Sequence, residues 1–207
     1  KMPPDGTLYE SVTKPDFERG SKVLDGITWV MTQEQISYTA GVKNVTFRDI
    51  QLEKPRVPFC IQIDMGKYNR SYYRGAKVPV QENIFLDNIK VLYDKDIPLV
   101  QVSSPVNMIT ITNSRLKNKG LEFSGNEAFP EYLKENTVPD YYKTNINIHG
   151  CIFEQDDEMI LVENTAKGKE IELKTSSNTE LGKNFSAKII NKGGNIRVES
   201  DLTGLKK

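Results

Sequence analysis

Four segments of the chain are variants of one phrase: Asn44-Val-Thr-Phe-Arg-Asp-Ile50, Asn83-Ile-Phe-Leu-Asp-Asn-Ile89, Asn107-Met-Ile-Thr-Ile-Thr-Asn113 and Asn145-Ile-Asn-Ile-His-Gly-Cys151. Each opens on an Asn suited to a turn, continues with apolar residues at every second position, and closes on a polar residue, Asn or Asp in most copies. Period two is the mark of a strand with one buried face. Val45 and Phe47 alternate, and Ile50 then falls one place late; Ile84, Leu86 and Ile89 repeat the same break. One such phrase cannot bury its apolar face alone, so a degenerate repeat of this kind predicts stacked copies, a solenoid.

The phrases begin 39, 24 and 38 residues apart (44 to 83, 83 to 107, 107 to 145). The shortest interval reads as one bare coil and the longer two as coils that carry an inserted loop. Coils made of two or three short strands joined by turns give an all-β parallel β-helix, each strand pairing with its equivalent one coil along at about 4.8 Å. The turn Asn residues are then expected to stack on one another.

The rest of the chain fits one domain over 1–207, with a Pro- and Gly-punctuated, irregular lead-in over 1–25 and coils over 26–200. Strands are expected at 27–30, 35–39, 42–52, 57–64, 80–92, 97–103, 106–116 and 120–124, then at 159–162, 170–173, 187–190 and 195–198. Residues 201–207 are expected to fray, or to serve as a poor cap over exposed strand edges. The opening Lys1-Met2-Pro3-Pro4-Asp5-Gly6 reads as a start within a longer protein, of which this is the C-terminal part. No long amphipathic helix is expected.

Composition narrows the function classes. With 207 residues and 37% hydrophobic content the chain can bury one core. Lys plus Arg and Asp plus Glu both number 28, which argues against a nucleic-acid partner held by phosphate neutralisation. No apolar run approaches the ~18 residues of a membrane span. Cys60 and Cys151 lie in apolar strands and are expected to be two buried thiols; coils at least three apart put a disulfide out of reach. A zinc site needs more Cys and His than two Cys and the single His149, so no metal or cofactor is expected.

Candidate chemistry is sparse. Asp156-Asp157-Glu158 is the only acidic cluster, but adjacent strand residues face opposite sides, so a solvated turn explains it better than an acid–base pair. His149 should point away from Ile146 and Ile148, at a coil corner beside Gly150. Asp64 ends an apolar strand beside a long loop and is the best-placed single carboxylate, a weak catalytic candidate against its reading as a turn former. The loop from Met65 to Lys77 is both cationic and aromatic. Aromatic faces stack on the C–H surface of sugars and Arg or Lys forks onto carboxylates, so Lys67, Tyr68, Arg70, Tyr72, Tyr73 and Arg74 form the candidate substrate-binding set. The alternative is a solvated loop whose tyrosines cover apolar surface. A second loop, 126–143, carries Phe129, Tyr132, Tyr141 and Tyr142 and is a weaker candidate wall.

The order Gly41-Val-Lys-Asn-Val-Thr-Phe-Arg-Asp-Ile50, Val57-Pro-Phe-Cys-Ile-Gln-Ile-Asp-Met65, an insertion, Glu82-Asn-Ile-Phe-Leu-Asp-Asn-Ile89, Pro98-Leu-Val-Gln-Val102 and Val106-Asn-Met-Ile-Thr-Ile111 resembles the C-terminal half of bacterial polygalacturonase-type glycoside hydrolases, over roughly residues 40 to 165. The resemblance implies a right-handed parallel β-helix and inverting hydrolysis of galacturonate-containing polysaccharide by paired aspartates. It also implies export to the periplasm or cell surface, and a monomer whose partner is a polysaccharide or oligosaccharide, acidic in that family. The family's catalytic motifs, Asn-Thr-Asp, Asp-Asp, Gly-His-Gly and Arg-Ile-Lys in that order, lie upstream of the matching half and none is matched here. Where Arg-Ile-Lys would fall the chain has Thr32-Gln-Glu-Gln35. Two readings follow: the C-terminal part of a polygalacturonase-like hydrolase, or a non-catalytic glycan-binding or structural β-helix.

Overall fold

The computed structural model describes residues 10–11, 22–24, 27–30, 42–56, 58–61, 81–124 and 143–206, which fall into two units. The smaller holds β1 (Glu10–Ser11), β2 (Lys22–Leu24) and β3 (Ile27–Val30), an antiparallel sheet in the order β1–β3–β2. Two of these strands lie in the expected irregular lead-in. The third, expected to open the coils, pairs antiparallel with both.

The larger unit, from Val42 to Lys206, alternates between two parallel sheets. Its strands are β4 (Lys43–Leu52), β5 (Phe59–Ile61), β6 (Glu82–Val91), β7 (Pro98–Val102), β8 (Met108–Thr112), β9 (Arg115–Leu116), β10 (Lys119–Phe123), β11 (Lys143–His149), β12 (Ile152–Glu154), β13 (Glu158–Asn164), β14 (Glu170–Ser176), β15 (Thr179–Leu181), β16 (Ser186–Asn191), β17 (Asn195–Glu199) and β18 (Leu205–Lys206). One sheet runs β18–β16–β13–β10–β7–β5; the other runs β15–β12–β9–β6–β8–β11–β14–β17, with β4 also on β6. The described residues include no helix. Parallel neighbours cannot be joined by a hairpin, so the chain crosses to the other sheet before each return.

Register fixes the repeat. Val45 lies opposite Ile84, and Ile84, Ile109, Ile146, Leu173 and Val198 follow one another across successive strands. Two of these steps are 25 residues long (84 to 109, 173 to 198) and one is 27 (146 to 173). The 39- and 37-residue steps (45 to 84, 109 to 146) contain the predicted loops. Because β6 steps to β8 by 25 residues, one more than the 24 between Asn83 and Asn107, the expected stack of four Asn residues forms only in part. Asn83 Nδ2 donates to Asn44 Oδ1 at 2.8 Å, but Asn107 falls one place early and its Oδ1 accepts the Asn83 N–H at 3.0 Å, while Asn145 sits opposite Met108.

The late apolar residue in each phrase has a backbone cause. Asp49, Asn88, Asn113, Gly150 and Ser177 occupy equivalent corners and all have φ between 50° and 63°. A left-handed residue turns the chain, so Ile89 and Cys151 just after it return to the core. Asn and Asp tolerate this conformation better than other residues with a Cβ. Asn88 Nδ2 also donates to Asp49 Oδ1 at 2.7 Å, and Asn113 Nδ2 to Asp87 Oδ1 at 2.9 Å, tying corner to corner. The corner at Asn113-Ser114 divides the strand expected over 106–116 into β8 and β9.

Leu86, Ile89, Ile109, Ile111, Leu121, Phe123, Ile146, Ile148 and Phe153 fill the core. Cys151 is buried with them, and burial pushes its thiol up to about 11. Cys60 departs from expectation: alternation in β5 puts Ile61 inside and Cys60 on the surface. Beyond β17 the chain behaves as a cap. Leu202 is buried, Asp201 accepts from Thr175 Oγ1 at 2.7 Å and from the Asn178 N–H at 2.8 Å, and β18 pairs with β16. Glu180 takes the register position that Phe153 and Leu116 hold in earlier coils, and accepts from Thr203 Oγ1 at 2.7 Å. A charge there ends the apolar column and discourages further stacking.

Two glycines yield tests, Gly168 in the turn after β13 and Gly194 in the turn after β16. A Cβ on Gly194 would lie 1.9 Å from the Lys169 carbonyl oxygen, and neither backbone can retreat without breaking the Asn195 N–H to Lys169 O bond at 2.9 Å. Gly194→Ala is therefore expected to cost roughly 3 kcal/mol. Gly168→Ala, at φ +70° with no atom within 4 Å, should cost about 1–2 kcal/mol. Urea unfolding measures both, and equal losses would contradict the close approach.

Lys169 itself is buried, its ammonium 5.5 Å from the centre of the Phe123 ring, and desolvation lowers its pKa from 10.5 to about 8. Between those values the unfolded chain holds the proton more tightly, so stability should rise with pH from about 8 to about 10.5 and be lost as pH falls through 8. Lys169→Met should be more stable than the parent at pH 7, by at most roughly 3 kcal/mol. The advantage should shrink by pH 10. A difference that stays constant from pH 7 to 10 would show that Lys169 has an ordinary pKa.

Candidate functional site

The residues singled out in the sequence as binding or catalytic, Asp64, Lys67, Tyr68, Arg70, Tyr72, Tyr73 and Arg74, lie outside the described residues, as do Phe129, Tyr132, Tyr141 and Tyr142. The other candidates are placed. Asp156 and Asp157 occupy an exposed bend between β12 and β13, and Glu158 opens β13. His149 ends β11 on the solvent side, with Nδ1 3.0 Å from Ser176 Oγ in the next strand. Among the described residues no cluster of His, Cys, Asp or Glu has the arrangement of a metal site, and no helix is long and apolar enough to cross a membrane.

A different surface gathers charged groups. The turns after β6, β9, β12 and β15 stack along the second corner of the coils, where Asn118 has φ 65° and Gly182 φ 141°. Asn118 Nδ2 donates to the Tyr93 carbonyl at 2.6 Å, and the Asn118 N–H to Gln155 Oε1 at 3.1 Å. The Gln155 N–H then donates to the Leu181 carbonyl at 2.9 Å, and a Cβ on Gly182 would lie 1.9 Å from the Gln155 oxygen. Each turn thus fixes the next. Beside them runs an open groove of about 750 Å³, lined by Asp94, Asp96, Glu154, Asp156 and Glu158, by Lys95, Lys117 and Lys188, and by Ile160 and Leu181 among others.

Ion pairs between coils hold most of these charges. Lys117 Nζ is 2.7 Å from Asp94 Oδ1; Arg115 grips Glu154 with two N–H groups, Nη2 to Oε1 at 2.7 Å; Lys188 and Lys206 reach Glu158 at 2.6 and 3.2 Å. Hydrogen bonding from Arg115 lowers the Glu154 pKa, and hydrogen bonds from Lys188 and then Lys206 lower that of Glu158. Glu154 raises the Arg115 pKa in return. Glycoside hydrolysis requires one carboxyl raised enough to donate a proton. Glu154 and Glu158 are displaced the other way, toward permanent charge, and so suit the acceptance of ligand hydroxyl groups rather than acid catalysis.

A second ionic group lies on the outer side of β10 and β13. Lys119 Nζ is 2.6 Å from both Glu122 Oε2 and Glu163 Oε2. Burial opposes the charge on Lys119, yet the two carboxylates raise its pKa on balance.

No known protein family, curated protein or solved structure matches this chain.

The pairing has a direct readout. In Arg115→Ala the Glu154 carboxyl should titrate in the ordinary glutamate range, above its midpoint in the parent, followed by carboxyl carbon shifts between pH 2 and 7. Stability should fall by less than about 1 kcal/mol, since both side chains are well exposed. Identical Glu154 midpoints in the two proteins would show that the pair does not form in solution.

Proposed function

We propose that the parallel sheets are the walls of a right-handed parallel β-helix, that the chain is a polysaccharide-processing protein resembling the C-terminal region of a polygalacturonase-like hydrolase, and that this segment binds glycan without cleaving it. The observation that carries the binding reading is the groove beside the second corner, where Asp94, Glu154 and Glu158 are ion-paired with Lys117, with Arg115, and with Lys188 and Lys206. Fixed charged acceptors bordered by Ile160 and Leu181 suit a polyhydroxylated ligand with apolar C–H faces. Catalysis by the family's means is not proposed here, because its acid motifs are missing from the sequence and Glu154 and Glu158 have lowered pKa values. Export to the periplasm or cell surface follows from the same resemblance, as does action as a monomer.

The loop 65–77 remains a second proposed contact on its sequence alone, since Arg70, Tyr72 and Arg74 supply cationic and aromatic groups together. A purely structural stalk is the competing reading, favoured by the regular stitching of coil to coil.

Incubation with polygalacturonate is expected to release no reducing ends. Release that disappears in Asp64→Asn, or in Asp156→Asn with Asp157→Asn, would move an active site into this segment. On immobilised polysaccharide, Asp94→Ala with Glu154→Ala should weaken retention about tenfold or more. Replacing Arg70, Tyr72 and Arg74 by Ala should weaken retention on an acidic glycan. Retention unchanged by either set favours the stalk.

A further inference from the structure

The groove's charges are unequally spent. Among the described residues Lys117 and Lys188 are committed to Asp94 and Glu158 at 2.7 and 2.6 Å, and Arg115 at its edge is committed to Glu154. Lys95 is the one lining cation with no carboxylate against it among the described residues. Two lining carboxylates are uncommitted to any cation there: Asp96, and Asp156, whose Oδ1 accepts only the Lys183 N–H at 3.3 Å. A bound uronate needs a cation within hydrogen-bond range. Taking Lys117 would strip Asp94 of its partner, and taking Lys188 would leave Glu158 with Lys206 alone at 3.2 Å; either sets a second carboxylate beside one already there. A neutral sugar meets no such conflict, since an ion-paired carboxylate has lone pairs to spare for hydroxyl donors. Ile160 and the half-exposed Leu181 offer the apolar contact.

From this balance we infer that the groove selects saccharides without carboxylates over acidic ones, a specificity opposite in sign to the galacturonate expected from family resemblance; it rests on the glycan-binding reading above. The preference comes from two features together: paired cations, and the carboxylates of Asp96 and Asp156, which no cation offsets among the described residues. Each cation in the groove that could receive a uronate, apart from Lys95, already lies against a carboxylate from another coil.

Three probes separate the outcomes: tetragalacturonate, its fully methyl-esterified form, and a neutral galactan tetramer. Each is titrated into the whole chain at low ionic strength while the amide signals of Asn118, Gln155 and Gly182 are followed, which isolates the groove from the loop 65–77. The methyl ester should reach half-saturation at a concentration at least about tenfold below the free acid. In Asp96→Asn with Asp156→Asn the gap should close to about threefold or less. If the free acid shifts these amides at the same concentration as the ester, or a lower one, the specificity is wrong while glycan binding stands. If none of the three probes moves them, the glycan-binding reading falls and takes this inference with it.

Discussion

In-register parallel pairing is the constraint on which the rest of the larger unit depends. Stacking Val45, Ile84, Ile109, Ile146, Leu173 and Val198 in one column places every other inward residue as well, because side chains alternate with period two. A slip of one residue in any coil would carry its whole apolar set to the solvent side. The corners reinforce the choice: a left-handed residue at 49, 88, 113, 150 and 177 fixes where each coil turns. Ion pairs at the surface follow the same columns, Arg48 on Asp87 and Lys174 on Glu199, and so stitch neighbouring coils without deciding their order.

The repeat was legible in the sequence because alternation and turn Asn residues are local signals. The break from Phe47 to Ile50 and from Leu86 to Ile89 was visible too, although only the positive φ at Asp49 and Asn88 explains it. What the Asn spacing could not supply was register. Asn107 caps the backbone of Asn83 instead of stacking on it, so counting Asn to Asn gives 24 where the strands step by 25. β15 escaped notice because three residues are too few to display a period. Cys60 was misplaced because Phe59-Cys-Ile61 is apolar throughout, and composition alone does not say which side faces in.

The candidate groove was less legible, for a physical reason. Its partners are distant in sequence: Lys117 and Asp94, Arg115 and Glu154, Lys188 and Glu158 come from different coils and meet only once the register is set. No motif announces them. Aromatic and cationic residues concentrated in one loop draw attention in a sequence, whereas charges distributed one or two per turn do not. The same arrangement decides what the groove can do. Carboxylates held by cations from neighbouring strands are poorer proton donors and good hydroxyl acceptors, which is the basis on which binding rather than cleavage is proposed for it.

Distance along one column tests the register most directly. Thr46, Phe85, Thr110, Asn147, Lys174 and Glu199 are successive partners across the sheet. Spin labels at Thr46→Cys and Glu199→Cys, in a Cys60→Ser background, should therefore be separated by five strand spacings, about 24 Å, within the reach of the label linkers. A narrow distribution centred near that value is the predicted result of pulsed dipolar spectroscopy. A broad distribution, or one centred beyond about 40 Å, would contradict in-register stacking and the groove built upon it.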